Sequence, residues 1–353
     1  DGYQLGDFSG TKKFHVGTGN KYIRFDGTDV QIGSETEIGS TGSVTVTVHQ
    51  TTGDYVSIAA ALEYMTRLYK AADASGTEVR TINVLSGYVE SVGIVMKGVN
   101  MSGIYITGAN YDISSTFVGN VYDFKECILP EWRVLPTDTR TTATTGSVFL
   151  LEKCTASIVG DGVNRQCMRY HFMLALNSNV SISNIDISCY ADALEFRRCI
   201  LYIIVCDINS SATNYPVTTG RLTADACVGE ISYINITTNI GNAQFDFTGS
   251  SVNVLDCVSL GNPKYYMFLN GGKVDVSDFR SAITTGTYTT NGVLIWGGHH
   301  RFKNCDFRSG TTTAATDIDV LNGAFISQNS TTGGSNITLN STASLANGFR
   351  IGS

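Results

Sequence analysis

Six segments of this chain share one short pattern. An apolar residue stands four places before an acidic or amide side chain, and another apolar residue follows it directly. The segments are ISNIDI (182–187), IIVCDI (203–208), ISYINI (231–236), VNVLDC (252–257), VDVSDF (274–279) and FKNCDF (302–307). The polar position is Asp186, Asp207, Asn235, Asp256, Asp278 and Asp306, at steps of 21, 28, 21, 22 and 28 residues. A period near twenty, lengthened now and then by about seven, marks a solenoid in which each repeat is one coil. A single coil is too small to hold a core, and stacking buries a continuous one. A carboxylate inside an apolar strand is costly unless it points out or finds donors. The six polar residues are therefore expected to stack as one outward column beside a bend, where short polar side chains accept backbone N–H bonds.

Composition narrows the class. Thr, Ser, Gly, Asn, Val and Ile dominate, and helix formers are scarce outside one segment. Only 16% of the 353 residues are charged and the net charge is −7, which argues against a nucleic-acid binder. No run of 18 apolar residues exists, so no membrane-spanning helix is expected. The chain begins at Asp1 rather than Met, as a fragment of a longer protein would. The nine cysteines show no CxxC spacing. Cys206 and Cys305 take the place filled by Ile234 and Leu255 in other coils. They read as small core hydrophobes of a protein folded in a reducing compartment.

Four regions follow. Residues 1–40 form a β connector in which KYIRFDGTDVQIG (21–33) alternates apolar and polar on both sides of Asp26-Gly27-Thr28, a hairpin signal. Residues 41–80 hold a linker and the one convincing helix, about 54–75. There Ile58, Leu62, Met65 and Leu68 or Tyr69 share a face, with Asp54 as N-cap and Gly76 as stop. An amphipathic helix before the first coil lids the open end of a β solenoid. Residues 81–310 are the coils, and 311–353 a Ser/Thr/Asn-rich C-terminal β segment. The fold expected is all-β: a right-handed parallel β-helix with an N-terminal capping helix.

This layout resembles the tailspike and tail-fibre receptor-binding proteins of bacteriophages. The resemblance rests on KYIRFDGTDVQIG, which looks like their connecting β segment. It rests also on DYVSIAAALEYMTRLYK followed by VLSGYVES and VNMSGIYITG, similar to the helix and first coil of their β-helices. The ending GAFISQNSTTGGSN…NGFRIG looks like their trimerising strands. The resemblance implies a homotrimer on the virion tail, joined to other tail proteins through the N-terminal segment. Such a protein binds bacterial surface polysaccharide and in many relatives cleaves it with acidic pairs, on the β-helix flank or between subunits.

The register set by the repeat Asp carries over to a second strand in each coil. Eleven residues back lies an inward column, Ala175, Phe196, Ala224, Phe245, Met267 and Ile295. Strand alternation turns the flanking positions outward. Ten back are Leu176, Arg197, Asp225, Asp246, Phe268 and Trp296. Twelve back are Leu174, Glu195, Thr223, Gln244, Tyr266 and Leu294. Arg198 breaks the inward pattern, as a bulge exposing both arginines would. Asp225, Asp246 and Glu195 are the candidate catalytic carboxylates, with Arg197, Gln244, Tyr266, Phe268 and Trp296 as candidate sugar contacts. Asp225 and Asp246, in one column on adjacent coils, are expected roughly 5 Å apart, the spacing of a retaining glycosidase. Glu195 and Asp225 are expected roughly 8 Å apart, an inverting spacing. The longer coils at 209–220 and 281–292 would wall the cleft.

Other readings stay open at this stage. The outward residues also suit solvent or a subunit contact. Arg169-Tyr170-His171 could supply a polysaccharide lyase, and a non-catalytic receptor-binding fibre or a secreted adhesin would use the same groove. His299-His300 reads as a solvated turn. The Asp column reads as turn capping rather than a calcium site, since Asn235 interrupts it, and no metal or cofactor is expected.

Overall fold

The coils form because inward apolar positions recur with period two along each strand and with the coil period along the chain. The structure, a computed structural model, describes residues 43–67, 79–138, 140, 146–162, 164–167, 171–189, 193–210, 221–238, 243–261, 265–282, 293–303 and 305. Strands within 2–32 and 318–351 are described by their backbone pairing. The described residues are 64% strand and 5% helix, which makes the fold all-β, and the strands stack as a parallel β-solenoid.

Each coil presents three faces. Face A is an 11-stranded parallel sheet running from Ile94–Lys97 to Ser344–Leu345. Faces B and C belong to a 19-stranded sheet. In the coils Asn179–Cys189, Ile200–Ser210 and Val228–Thr238, one strand bends to serve both; in later coils it splits, as into Ser251–Leu255 and Val258–Gly261. Two columns of left-handed residues make the bends. Glu126, Lys153, Asn177, Arg198, Ala226, Gly249 and Gly271 turn the chain from face A to face B. Asn184, Val205, Tyr233, Asp256 and Asp278 turn it from face B to face C. Asp and Asn tolerate positive φ better than most side chains, which accounts for Asp256 and Asp278. Arg198 is such a bend residue, and it and Arg197 are both exposed.

The polar repeat residues do not form one column. Asp186 pairs with Asp207 and Asp207 with Asn235, whose amide donates to the Asp207 carboxylate at 2.6 Å. The next coil slips by two residues: Ile231 aligns with Val254, and Asn235 with Val258. Asp256 and Asp278 thus stand at the bend, and Asp186, Asp207 and Asn235 just beyond it. Asp306 lies outside the described residues. A slip of two keeps every side chain on its face, whereas a slip of one would invert them all. The inward set therefore holds, with Phe196, Ala224, Phe245, Met267 and Ile295 all buried, although their neighbours differ.

Cys127, Cys154, Cys199, Cys206, Cys227, Cys257 and Cys305 are free and buried. Cys127, Cys154, Cys199 and Cys227 each follow a bend residue at one corner, and Cys206 and Cys257 at the other. Each thiol donates to the carbonyl two residues back, as Cys199 Sγ does to Arg197 O at 3.3 Å. Ser178 and Ser250 do the same with hydroxyls, so these corners want a small side chain with a donor.

At the N-terminal end, Val44–Val48 already stacks on Arg80–Val84, so coil stacking begins before the helix. The helix α1 spans Ile58–Arg67 and buries Ile58, Ala61, Leu62 and Met65. Its N-cap is Ser57, whose hydroxyl accepts from Ala60 N at 3.2 Å. Asp54 instead accepts two bonds from Thr47, at 2.8 Å each. Leu68, Tyr69 and the expected stop at Gly76 lie outside the described residues. Lys21–Phe25 and Val30–Ile32 pair antiparallel, as the hairpin signal requires, within a separate four-stranded sheet. At the other end, Ile318–Leu321 and Phe325–Gln328 continue the parallel stacking beyond residue 310.

Candidate functional site

The outward side of face A changes character along the solenoid. On strands Ser147–Glu152 and His171–Leu176 it carries Leu150, Leu174 and Leu176; on Tyr265–Asn270 and Val293–Trp296 it carries Phe268, Leu294 and Trp296. Between them, three strands present Glu195, Arg197, Thr223, Asp225, Asp246 and Thr248. These three strands form a window bordered by apolar side chains on both neighbouring strands, and charge returns beyond the leucines with Glu152 and Lys125, which pair at 2.8 Å.

Pairing fixes the arrangement within that window. Glu195 aligns with Thr223, and Thr223 with Asp246, which in turn aligns with Phe268. Arg197 aligns with Asp225, and Asp225 with Thr248. Asp225 and Asp246 are consequently not in one column, because strand Ala243–Thr248 carries the same two-residue slip. Each is one coil and two residues from the other, roughly 8 Å by strand geometry rather than 5 Å. Glu195 and Asp225 have the same diagonal relation, as expected from the sequence. Asp225 thus has a carboxylate diagonally on either side, both at an inverting separation.

The three acids differ in surroundings. Glu195 is buried; its carboxylate accepts from Arg197 Nε at 2.7 Å and lies 3.4 Å from His171 Nε2. Asp246 is partly buried and ion-paired with Arg221 at 3.2 Å. Asp225 is exposed and has no ion pair among the described residues. Arg197 is more than half exposed, and Trp296 is 51% exposed. Phe268 is partly exposed beside Asp246, whereas Trp296 stands farther along, next to Leu321.

Two expected sugar contacts point inside. Gln244 is fully buried and its carbonyl oxygen accepts from the Ser259 hydroxyl. Tyr266 is fully buried, its ring 6.4 Å from that of Phe279. Both occupy the corner where a coil enters face A, and there two consecutive side chains turn inward. Phe172 and Met173 do so three coils before Gln244. Strict alternation fails at such corners because the chain is still bending. Arg221 was not among the expected site residues, and His171 was considered only for a lyase, not beside Glu195; their partners are set by coil stacking that the linear pattern does not display. His300 is not in a solvated turn; it is a fully buried residue of His299–Lys303 whose Nε2 bonds Gly297 O at 2.9 Å. Arg169, Tyr170 and most of both long loops lie outside the described residues.

Among the described residues no three His, Cys, Asp or Glu side chains converge as a metal site. No described helix is long and apolar enough to cross a membrane. Comparison with protein-family models, with curated proteins and with solved structures gives no match.

Proposed function

We propose that the protein binds a bacterial surface polysaccharide along face A and hydrolyses it within the chain, as a spike carried on a phage tail. One observation carries the reading: exposed Asp225 lies diagonally between two anchored carboxylates, Glu195 and Asp246, in a charged window flanked by Phe268 and the leucines of neighbouring coils. Glycosidic cleavage needs two carboxyl groups across the scissile bond, and a separation of about 6.5–9.5 Å leaves room for the attacking water. In this mechanism Asp225 protonates the leaving oxygen, and Glu195, fixed by Arg197 and His171, takes a proton from the water. Phe268 and Trp296 offer ring faces to sugar rings, and Arg197 a cation to an acidic substituent.

A second reading is binding without cleavage. It is favoured by the ion pairs of Glu195 and Asp246, which are what a purely structural polar face would also show. Incubation with a panel of purified capsular and O-antigen polysaccharides separates the two. Hydrolysis releases reducing ends without absorbance near 235 nm, elimination produces both, and binding alone produces neither. Loss of activity in Glu195→Gln with little change in Asp246→Asn selects Glu195 as the base; the reverse selects Asp246.

A further inference from the structure

Most cations of the solenoid stand against an acid. Lys125, Arg133, Arg140, Arg197 and Arg221 each hold a carboxylate within 3.2 Å. Arg301 and Lys303 do not: both are exposed, and neither has an ion pair among the described residues. They lie side by side on the outward side of face B. In the paired strands Lys273–Ser277 and His299–Lys303, Lys273 aligns with His299, Asp275 with Arg301 and Ser277 with Lys303. Val274, Val276, His300 and Phe302 are buried, so these aligned residues all face outward. Lys273, Arg301 and Lys303 are thus set against one carboxylate, Asp275, which pairs with Lys273 at 3.2 Å. Two cations are left over, in a chain whose net charge is −7.

The corner leading into this patch is bare. Where the chain turns from face A to face B, earlier coils carry Lys153, Asn177 or Arg198 at the bend; here the bend residues are Gly271 and Gly297. A Cβ at Gly271 would meet nothing within 4 Å, and one at Gly297 only backbone, at 3.8 Å. Packing therefore leaves room for a side chain at both, and glycine keeps the ridge open to close approach. On the face-A side of the ridge stands Trp296, 51% exposed and directly before Gly297. It continues the column of Asp225, Thr248 and Asn270, three coils or roughly 14 Å from Asp225. An exposed indole, an open backbone ridge and unpaired cations follow one another within residues 296–303.

We infer that this corner binds an anionic stretch of polysaccharide, with a sugar ring on Trp296 and the acidic groups beyond it on Arg301, Lys303 and Lys273. The inference rests on the polysaccharide reading of face A and narrows its substrate to a chain bearing carboxylate, phosphate or sulfate. Guanidinium groups hold such anions through two parallel bonds, and a lysine acts as a point charge. The indole offers a large rigid face. A single aromatic platform suits a sugar chain, whereas single-stranded nucleic acid is held on several in succession.

Tryptophan fluorescence reads this corner, because the second tryptophan, Trp132, is fully buried. Titration of the full chain at about 20 mM salt with short oligomers of dextran sulfate or galacturonate should shift the emission saturably, and added salt should weaken both. Dextran has the backbone of dextran sulfate without its charge and should bind at least about tenfold more weakly. Arg301→Gln with Lys303→Gln should weaken both anions about tenfold, with unchanged circular dichroism. Equal affinity for dextran and dextran sulfate, full affinity in the double variant, or tighter binding of a single-stranded oligonucleotide would overturn the inference. Anion binding without release of reducing ends from any polysaccharide would leave it standing and remove the cleavage proposed for face A. Cleavage confined to neutral polysaccharides, with no anion bound, would do the reverse.

Discussion

Faces A and B are built by the same coils, yet across residues 193–255 one presents acids and arginines and the other presents Ile, Val, Tyr, Ser and Asn with Glu230 as its one charge. The inward residues beneath the two are alike: Phe196, Ala224 and Phe247 under face A, Ile203, Ile231 and Val254 under face B. Burial holds the inward positions to apolar residues of matched size. Outward positions have no such constraint, so their chemistry follows what they meet. The contrast therefore separates a charged surface from one that carries almost no charge.

Breaking the chemistry of one face should leave the other intact. Asp225→Asn keeps size and hydrogen bonding but cannot transfer a proton, so cleavage should fall about 10³-fold while the affinity for dextran sulfate stays that of the wild type. Removing the shared support should abolish both. Phe247→Ala empties a fully buried site and is expected to cost about 3–5 kcal/mol in denaturant unfolding. Arg221→Ala removes the ion pair of Asp246 and should cost about 1–2 kcal/mol, with a cleavage loss far smaller than that of Asp225→Asn.

A subtler effect comes from the far coil. Burial pushes the His300 imidazole below its ordinary value of 6.5. The unfolded chain then binds the proton more readily than the folded one. The contribution of neutral His300 is complete above pH 6.5 and is lost as the pH falls from there towards the lowered folded value. Unfolding at pH 7.5 and at pH 5 should show a loss that His300→Leu removes. The smallest expected change is in thiol chemistry. Burial pushes Cys206, Cys257 and Cys305 up to about 12, so they should resist alkylation at neutral pH until the chain unfolds.

Much of this was legible in the residues. The coil period, the inward columns, the buried stripe Ile58, Leu62, Met65 and the hairpin at 21–32 all follow from periodicity, which burial enforces. The two-residue slip between Val228–Thr238 and its successors was not. The pattern ending in Asn235 and that ending in Asp256 match in sequence, and a slip of two leaves both inward sets intact. Parity was therefore readable and adjacency was not. That difference moved Asp246 out of the column of Asp225 and into that of Glu195. Gln244 and Tyr266 were misplaced for a local reason, since alternation lapses where the chain turns a corner. Ser57 displaced Asp54 as the cap because the carboxylate is held by Thr47.

On the proposed reading, register decides the stereochemistry of cleavage on face A, because it sets Asp225 and Asp246 roughly 8 Å apart rather than 5 Å and leaves no close pair among the three acids. Proton NMR of the reducing ends at the earliest stage of cleavage tests this directly. The first anomer formed should have the configuration opposite to that of the bond broken, before mutarotation mixes the two. Retention of configuration would contradict the account, because it would require carboxylates about 5 Å apart where the paired strands hold them at roughly 8 Å.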